Sequence, residues 1–495
     1  MNCVLAIDIG TTSTKCLLVS KEGSVLHQHQ NFYPTHYPQS GFAEQDPEVI
    51  FQAVLSCISS IPQSLNKSFS IICFSGAMHS LLAIDKNGEP ITPLLIWADT
   101  RSVDEASELK KMGVAQQLYE STGTPVHPMS PLCKLLWMKQ HQPEIILKAF
   151  RFLSIKEFVI YKLTNEFLVD YSTASATGFF DLKKKAWSEL AFQFHQVPPI
   201  KFSLPVSIYD SSKEILKDWI DKLNLDSACK IIIGSSDGCA AQLGSDAMED
   251  GFLSLTLGTS GAVRIASAKK IIGTSDIIFN YVFDESTFIC GGATNNGAAL
   301  LQWYSKNMDQ NASTNLSEFV NQILHIPAGA DGLLFLTYLL GERAPMYDAD
   351  ARGVFFGISV EHTKLHFQRA LLEGICFALK SILISIEKAT NTNHKIKVSG
   401  GITHSSALLQ MLSNILGREL IVSSENDASA MGAAIIGFRA IGIEMNIDCK
   451  TQSTITPDLL VNQKYENLFK VWVGLYPSLE HSFQQLAEFR KVCHS

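Results

Sequence analysis

Asp8 stands two residues ahead of Gly10-Thr11-Thr12-Ser13, in a run of small residues set between two apolar stretches within residues 4–20. Glycine lets the backbone approach a ligand closely, and threonine and serine hydroxyls add donors to the turn amides. Such a turn can form an anion-binding concavity without a lysine. The chain has neither a G-x-x-x-x-G-K-[ST] loop nor a G-x-G-x-x-G fingerprint. The construction recurs about half a chain length later, as Gly258-Thr259-Ser260-Gly261 between apolar runs. Each copy reads as a β-hairpin closed by a glycine turn. A matched pair can also hold one phosphate chain from two sides. The copies differ at one chemical position: Thr256 stands where the first has Asp8. A single carboxylate beside phosphates suits Mg²⁺, which keeps several waters and takes only one or two protein carboxylates.

Two further segments carry chemistry. The apolar run in residues 230–238 delivers Asp237 just past its end, and ligands of α/β sheets gather beyond the carboxyl ends of strands. An ordinary carboxylate pKa would keep Asp237 ionised at neutral pH, well placed to act on a substrate; its bland alternative is a helix N-cap. Gly400-Gly401, after the strand-like run at 395–399, permits close approach to a nucleoside and equally suits a tight strand-to-helix turn.

The elements that must position these residues alternate between short apolar strands and amphipathic helices. Residues 70–76 read as a buried strand, and residues 362–388 repeat apolar positions at helical spacing. The small-residue helix from Ala428 reads as a close-packing device. A duplicated hairpin implies two similar α/β domains facing across a cleft, 1–245 and 246–495, with the crossover near residues 244–252. The chain has 495 residues, which exceeds what one core usually serves. Apolar residues make up 46% and charged ones 18%, an ordinary globular balance. A net charge of −8 and the lack of any basic tract beyond Lys183–Lys185, read as a solvated turn, argue against a nucleic-acid partner. The eleven cysteines form no C-x-x-C pair and read as reduced thiols. With no signal-like segment ahead of the first strand and no apolar run near the ~18 residues of a membrane span, the expected location is cytoplasmic, without a membrane partner.

The stretches "DIGTTSTK", "MSPLCKLLWMKQ", "SSDGCAAQLG", "LGTSGA", "LLGERAPMYDADARGVFFG" and "VSGGITHSS", in this order and over nearly the full length, resemble the FGGY carbohydrate kinases. That family has two ribonuclease-H-like domains of the actin-like ATPase kind. Within it, "GAMHSLLAIDKNGEPITPLLIWADTRS" and "TGTPVHPMSP" are most similar to gluconokinases; xylulokinases come next, sharing "MH" and the "GER-P" segment. The resemblance implies transfer of the ATP γ-phosphoryl group to the primary hydroxyl of a sugar or sugar acid. It implies Asp237 as the base, Gly10, Thr11, Thr12, Ser13, Gly258 and Thr259 around the phosphates, and Asp8 toward Mg²⁺. Gly297, Gly400 and Gly401 would line the nucleotide. Met78, His79, Trp97, Asp99, Arg101 and His127 would contact the sugar. Gluconate carries a carboxylate and xylulose no charge, so the acid needs a cation or converging donors; His79, Arg101 and His127 are the candidates. Each also has a structural alternative, such as an Arg101–Asp104 surface pair. Lys134 and the segment 170–181 are read as architecture. Three departures from the family pattern, His404, Asn414 and Asp246, fall on the nucleotide side or at the domain junction. Besides the sugar-acid kinase, a pentulose kinase and a sugar sensor or actin-like ATPase without sugar turnover stay open, as does a homodimer.

Overall fold

The computed structural model describes residues 3–65, 68–273, 277–423, 427–445 and 451–494. Two mixed sheets share one plan. The first contains β1 (Cys3–Ile9), β2 (Ser13–Ser20), β3 (Val25–Phe32), β4 (Phe69–Gly76) and β5 (Lys230–Ser236), in the spatial order 5-4-1-2-3. Strands β1 to β3 form an antiparallel meander, while β4 and β5 continue parallel to β1. Central β1 is buried along almost its whole length, whereas β3 at the edge alternates exposed and half-buried residues. A strand covered on both faces reads as a continuous apolar run and an edge strand does not.

The second sheet contains β6 (Phe252–Leu257), β7 (Gly261–Ser267), β8 (Phe279–Val282), β9 (Phe288–Thr294), β10 (Lys395–Ser399), β11 (Leu420–Ser423) and β12 (Thr451–Ile455). Its order is 8-9-7-6-10-11-12. With β8 and β12 set aside as additions at the two edges, β6, β7, β9, β10 and β11 repeat the order and directions of the first sheet. The duplication read from the two hairpins therefore extends to the whole sheet.

The halves differ in what they insert. Between β4 and β5 the first carries residues 77–229, including α2 (Pro131–His141) and α3 (Ile155–Thr164), whereas β10 and β11 are separated by one main helix, Ser406–Leu416. Each half ends its five-strand plan with a small-residue helix, α4 (Asp237–Gly244) and α5 (Ala428–Ala440). These two helices cross in direct backbone contact. A Cβ on Gly244 would fall 2.0 Å from the Ala428 carbonyl oxygen, and one on Gly432 would fall 2.0 Å from that of Ala240. α5 continues over the first sheet, where a Cβ on Gly437 would meet Val4 at 2.7 Å. A buried cluster of Val4, Ala6, Ile71, Cys73, Ala262, Tyr281, Ala434 and Phe438 joins the halves at this crossing. The close-packing reading of the helix from Ala428 holds.

Candidate active site

The strand order brings the loops at the carboxyl ends of β1, β4 and β5 opposite those of β6, β10 and β11. Between them lies a cleft of about 430 Å³, lined by residues of both halves. Of the residues singled out in the sequence, Asp8, Gly10, Thr11, Thr12, Ser13, Met78, His79, Trp97, Asp237, Gly258, Thr259 and Gly400 line it. Asp99, Arg101, His127, Gly297 and Gly401 do not.

Both glycine turns have their carbonyls taken up from behind. In the first, Gly10 O accepts from Tyr33 Oη at 2.6 Å, Thr11 O from Gln45 Nε2 at 2.6 Å and Thr12 O from Tyr33 N at 3.1 Å. In the second, Gly258 O accepts from Ala298 N at 2.8 Å and Thr259 O from Ala299 N at 3.2 Å. Gly10 N and Gly258 N close the turns by donating to Ser13 O at 3.0 Å and Ser260 O at 2.9 Å, which leaves the amides and hydroxyls after each glycine as the donors for an anion. Gly297 sits behind the second turn, where a Cβ would stand 2.7 Å from Ser260 C and 2.8 Å from Gly258 O. It lets the following helix dock there, a packing role in its own right.

Asp237 is the first residue of α4, with Ser236 in the N-cap position, so the carboxylate is not the cap. Its Oδ1 accepts from Gly238 N at 2.7 Å. A buried chain behind it fixes the strand end: Ser236 N donates to Ser172 Oγ at 2.8 Å, and that hydroxyl donates to Asp170 Oδ1 at 2.5 Å. Asp170 in turn pairs with Lys156 at 2.5 Å. Burial pushes the Asp237 carboxyl above the ordinary range, opposed chiefly by the Arg264 guanidinium. The expectation of an untuned carboxylate thus changes: desolvation raises its basicity and the adjacent arginine limits the rise. Asp8 accepts from Ser75 Oγ at 2.7 Å, and burial together with the Asp237 charge pushes it up to about 7.

Sugar-side expectations need more revision. His79 is in the left-handed region at φ 64° and keeps both ring nitrogens engaged. Nδ1 donates to Ala176 O at 2.7 Å, and Nε2 accepts from Tyr281 Oη at 3.2 Å. Burial, with Arg343 and Lys134 adding to it, pushes the imidazole down to about 3, so His79 is neutral. His127 is buried as well; Nδ1 accepts from Met129 N at 3.2 Å, and burial holds the ring well below its usual pKa. Arg101 donates from Nε to Asp99 Oδ1 at 2.9 Å and from Nη2 to Glu44 Oε1 at 2.5 Å, under the Phe42 ring. Asp99 and Arg101 therefore brace the loop from inside, and Arg101 pairs with Asp99 and Glu44 rather than Asp104. Trp97 from the same segment does reach the cleft, donating from Nε1 to Thr11 Oγ1 at 2.8 Å. Lys134 on α2 donates to the carbonyls of His79 and Ile96 at 2.6 and 2.7 Å, tying together the loops that carry His79 and Trp97.

The second half also reaches over the sugar side. Arg343, Tyr281 and Tyr347 line the cleft, as do Lys15, Arg264 and Asp427. Tyr347 adopts φ 51°, a backbone that bulky residues rarely take. Lys15 forms an ion pair with Asp427 across the two halves. The motifs quoted for the resemblance contain Lys15 and Arg343, but their contacts depend on segments hundreds of residues apart. Of the departures, Asn414 accepts from Asp458 N at 2.8 Å, away from the cleft. Asp246 takes the glycine-like φ of 54° and pairs with Lys397 at 2.7 Å.

Among the described residues no group of three or more His, Cys, Asp or Glu side chains is gathered to hold a metal, and no helix is long and apolar enough to cross a membrane. Family models match residues 3–244, as the N-terminal domain of the FGGY family of carbohydrate kinases, and residues 253–441, as its C-terminal domain. A gluconokinase of Bacillus subtilis is 35% identical, the match covering 99% of this chain and 98% of that protein. Two solved structures from Lactobacillus acidophilus, a gluconate kinase and a ligand-bound xylulose kinase, each superpose with a TM-score of 0.90 at 30% identity. Each match covers 98% of this chain, and 99% and 100% of the respective relative.

Proposed function

The chain belongs to the FGGY family of carbohydrate kinases, and from that premise we propose that it transfers the γ-phosphoryl group of ATP to the primary hydroxyl of D-gluconate, giving 6-phosphogluconate. The observation that carries the reading is the meeting of Asp237 with both glycine turns in one cleft, in a chain 35% identical to a gluconokinase. Asp237 accepts the hydroxyl proton; its position at a strand end braced by Ser172, Asp170 and Lys156 supports that role. The turns at Gly10 and Gly258 hold the phosphate chain, and Gly400 with the first turn of α5 lies along the nucleotide. Trp97 and Met78 face the sugar, in the half before about residue 245, while the half after it holds most of the nucleotide.

Mg²⁺ fits the residues present. Asp8 and Asp237 are buried carboxylates; burial, with the Asp237 charge adding to it, raises Asp8 to about 7, an arrangement that a cation relieves. Asp8 would hold the ion directly or through water, and the bound ion would neutralise charge on the phosphates. Phosphoryl transfer is mostly positioning and electrostatics, and a cleft between two halves that excludes water supplies both. Nine of the cysteines, Cys3 to Cys376, are free and buried, in keeping with a cytoplasmic site of action.

The equal likeness to a solved xylulose kinase favours a second reading, a pentulose kinase using the same base and turns. ADP release with Mg-ATP, measured against D-gluconate, D-xylulose, L-ribulose, glycerol and no sugar, separates the two. Strong stimulation by gluconate alone is expected. Stimulation by a neutral ketose instead would overturn the substrate, and stimulation by none would leave a sugar sensor or sugar-independent ATPase.

A further inference from the structure

We infer that Arg343, delivered by the second half of the chain, is the cation that receives the carboxylate of the substrate. The inference rests on the sugar-acid reading above. The first-half candidates do not supply that charge: His79 and His127 are neutral, and Arg101 is neutralised by Asp99 and Glu44. Among the described residues three cationic side chains line the cleft: Lys15, Arg264 and Arg343. Lys15 is paired with Asp427. Arg264 donates to Thr256 Oγ1 at 3.1 Å and lies beside the base, its Nε 3.2 Å from where a Cβ on Gly238 would be.

Arg343 is different. It is 9% exposed, its Nη2 donates to Thr294 O at 3.2 Å, and its buried Nε has no hydrogen-bond partner. The neighbouring Glu342 carboxylate is held elsewhere, accepting from Thr294 Oγ1 at 2.7 Å and from the Arg343 backbone amide at 2.8 Å. The guanidinium stands 4.9 Å from the centre of the Trp97 ring, on the sugar side of the first turn. A buried donor left unpaired is costly, and a carboxylate accepts from a guanidinium fork through both oxygens. His127 Nε2 is a second buried nitrogen with no partner. Its ring packs edge-on against Tyr347, 5.8 Å between centroids. Because Nδ1 already accepts from a backbone amide, Nε2 carries the proton, a buried donor beside Tyr347, which itself lines the cleft.

The test compares D-gluconate with D-glucitol, which keeps the carbon skeleton and replaces the carboxylate by a neutral CH₂OH. Binding to the full-length chain is measured by calorimetry for the wild type, Arg343→Gln and Arg343→Lys. The wild type is expected to prefer gluconate by about 10- to 100-fold, the worth of a charge-assisted hydrogen bond. In Arg343→Gln the preference collapses to about 3-fold or less, with glucitol binding little changed; in Arg343→Lys it is intermediate, as a single ammonium replaces the fork. A glutamine variant that keeps the preference, or that weakens both ligands equally, overturns the inference and leaves the sugar-acid reading standing. A wild type without any preference for gluconate overturns both. Should only the lysine variant fold, an unchanged ratio there overturns the inference.

Discussion

The two halves run the same five-strand plan, yet they spend their matching positions differently. At the end of β1 stands Asp8, and Thr256 takes the corresponding place on β6. Ser75 on β4 lies beside Asp8, and Ser399 on β10 lies beside Thr256. The helix after β5 opens with Asp237, and Asp427 precedes the helix after β11. Asp237 faces Arg264, whereas Asp427 is tied to Lys15. Duplication thus gives two glycine turns that line one cleft, and divergence at a few positions places Asp8 and Asp237 in one half and Arg264 and Arg343 in the other. The turns differ in their support too. Side chains of Tyr33 and Gln45 hold the first; backbone amides of a helix start hold the second.

The comparison breaks hardest at the matched aspartates. Asp237→Asn should lower turnover by about 10²–10⁴-fold while leaving ATP binding intact, and Asp427→Asn should cost no more than about 10-fold, since Asp427 lines the cleft paired with Lys15 and takes no proton in the reaction. Steady-state ADP release checks both, and equal losses would deny that the halves have diverged as described.

Next comes the helix crossing that joins the halves. Gly244→Ala would place a methyl group 2.0 Å from the Ala428 carbonyl oxygen and should lower stability by about 1–3 kcal/mol in urea melts. Gly258→Ala, whose Cβ would meet nothing within 4 Å, should leave the melt almost unchanged.

Lys134 belongs to the insertion that the second half lacks. Burial lowers its ammonium to about 7 from an ordinary 10.5. Between those pH values the unfolded chain binds the proton that the folded chain has released, so stability rises with pH across that window and the full penalty is present below it. Relative to Lys134→Met, the wild type should gain up to about 1.4 kcal/mol per pH unit from 7 to 9. A flat difference in urea midpoints across that range would contradict the burial argument.

The smallest effect sharpens the contrast between the turns. Tyr33→Phe removes the hydroxyl that holds Gly10 O and should raise the KM for ATP a few-fold, with about 0.5–1.5 kcal/mol lost from stability. No side-chain replacement can strip the equivalent support from the second turn, because backbone amides supply it. An unchanged KM would mean that the first turn keeps its shape without Tyr33.

Sequence alone determined what depends on neighbours along the chain. Apolar runs closed by Gly-Thr-Thr-Ser and Gly-Thr-Ser-Gly announce hairpins because turn chemistry is local, and their repetition announces the duplicated α/β plan. Asp237 was legible because it follows a buried strand directly. Tertiary structure decided charge and company. The sequence could not reveal that burial and engaged ring nitrogens keep His79 neutral, or that Arg101 turns inward to Asp99 and Glu44. Nor could it reveal that Arg343, Tyr281 and Tyr347 arrive from the other half to face Trp97, His79 and His127. Desolvation and long-range contact set a side chain's protonation and partners, and both exist only once segments hundreds of residues apart have packed together.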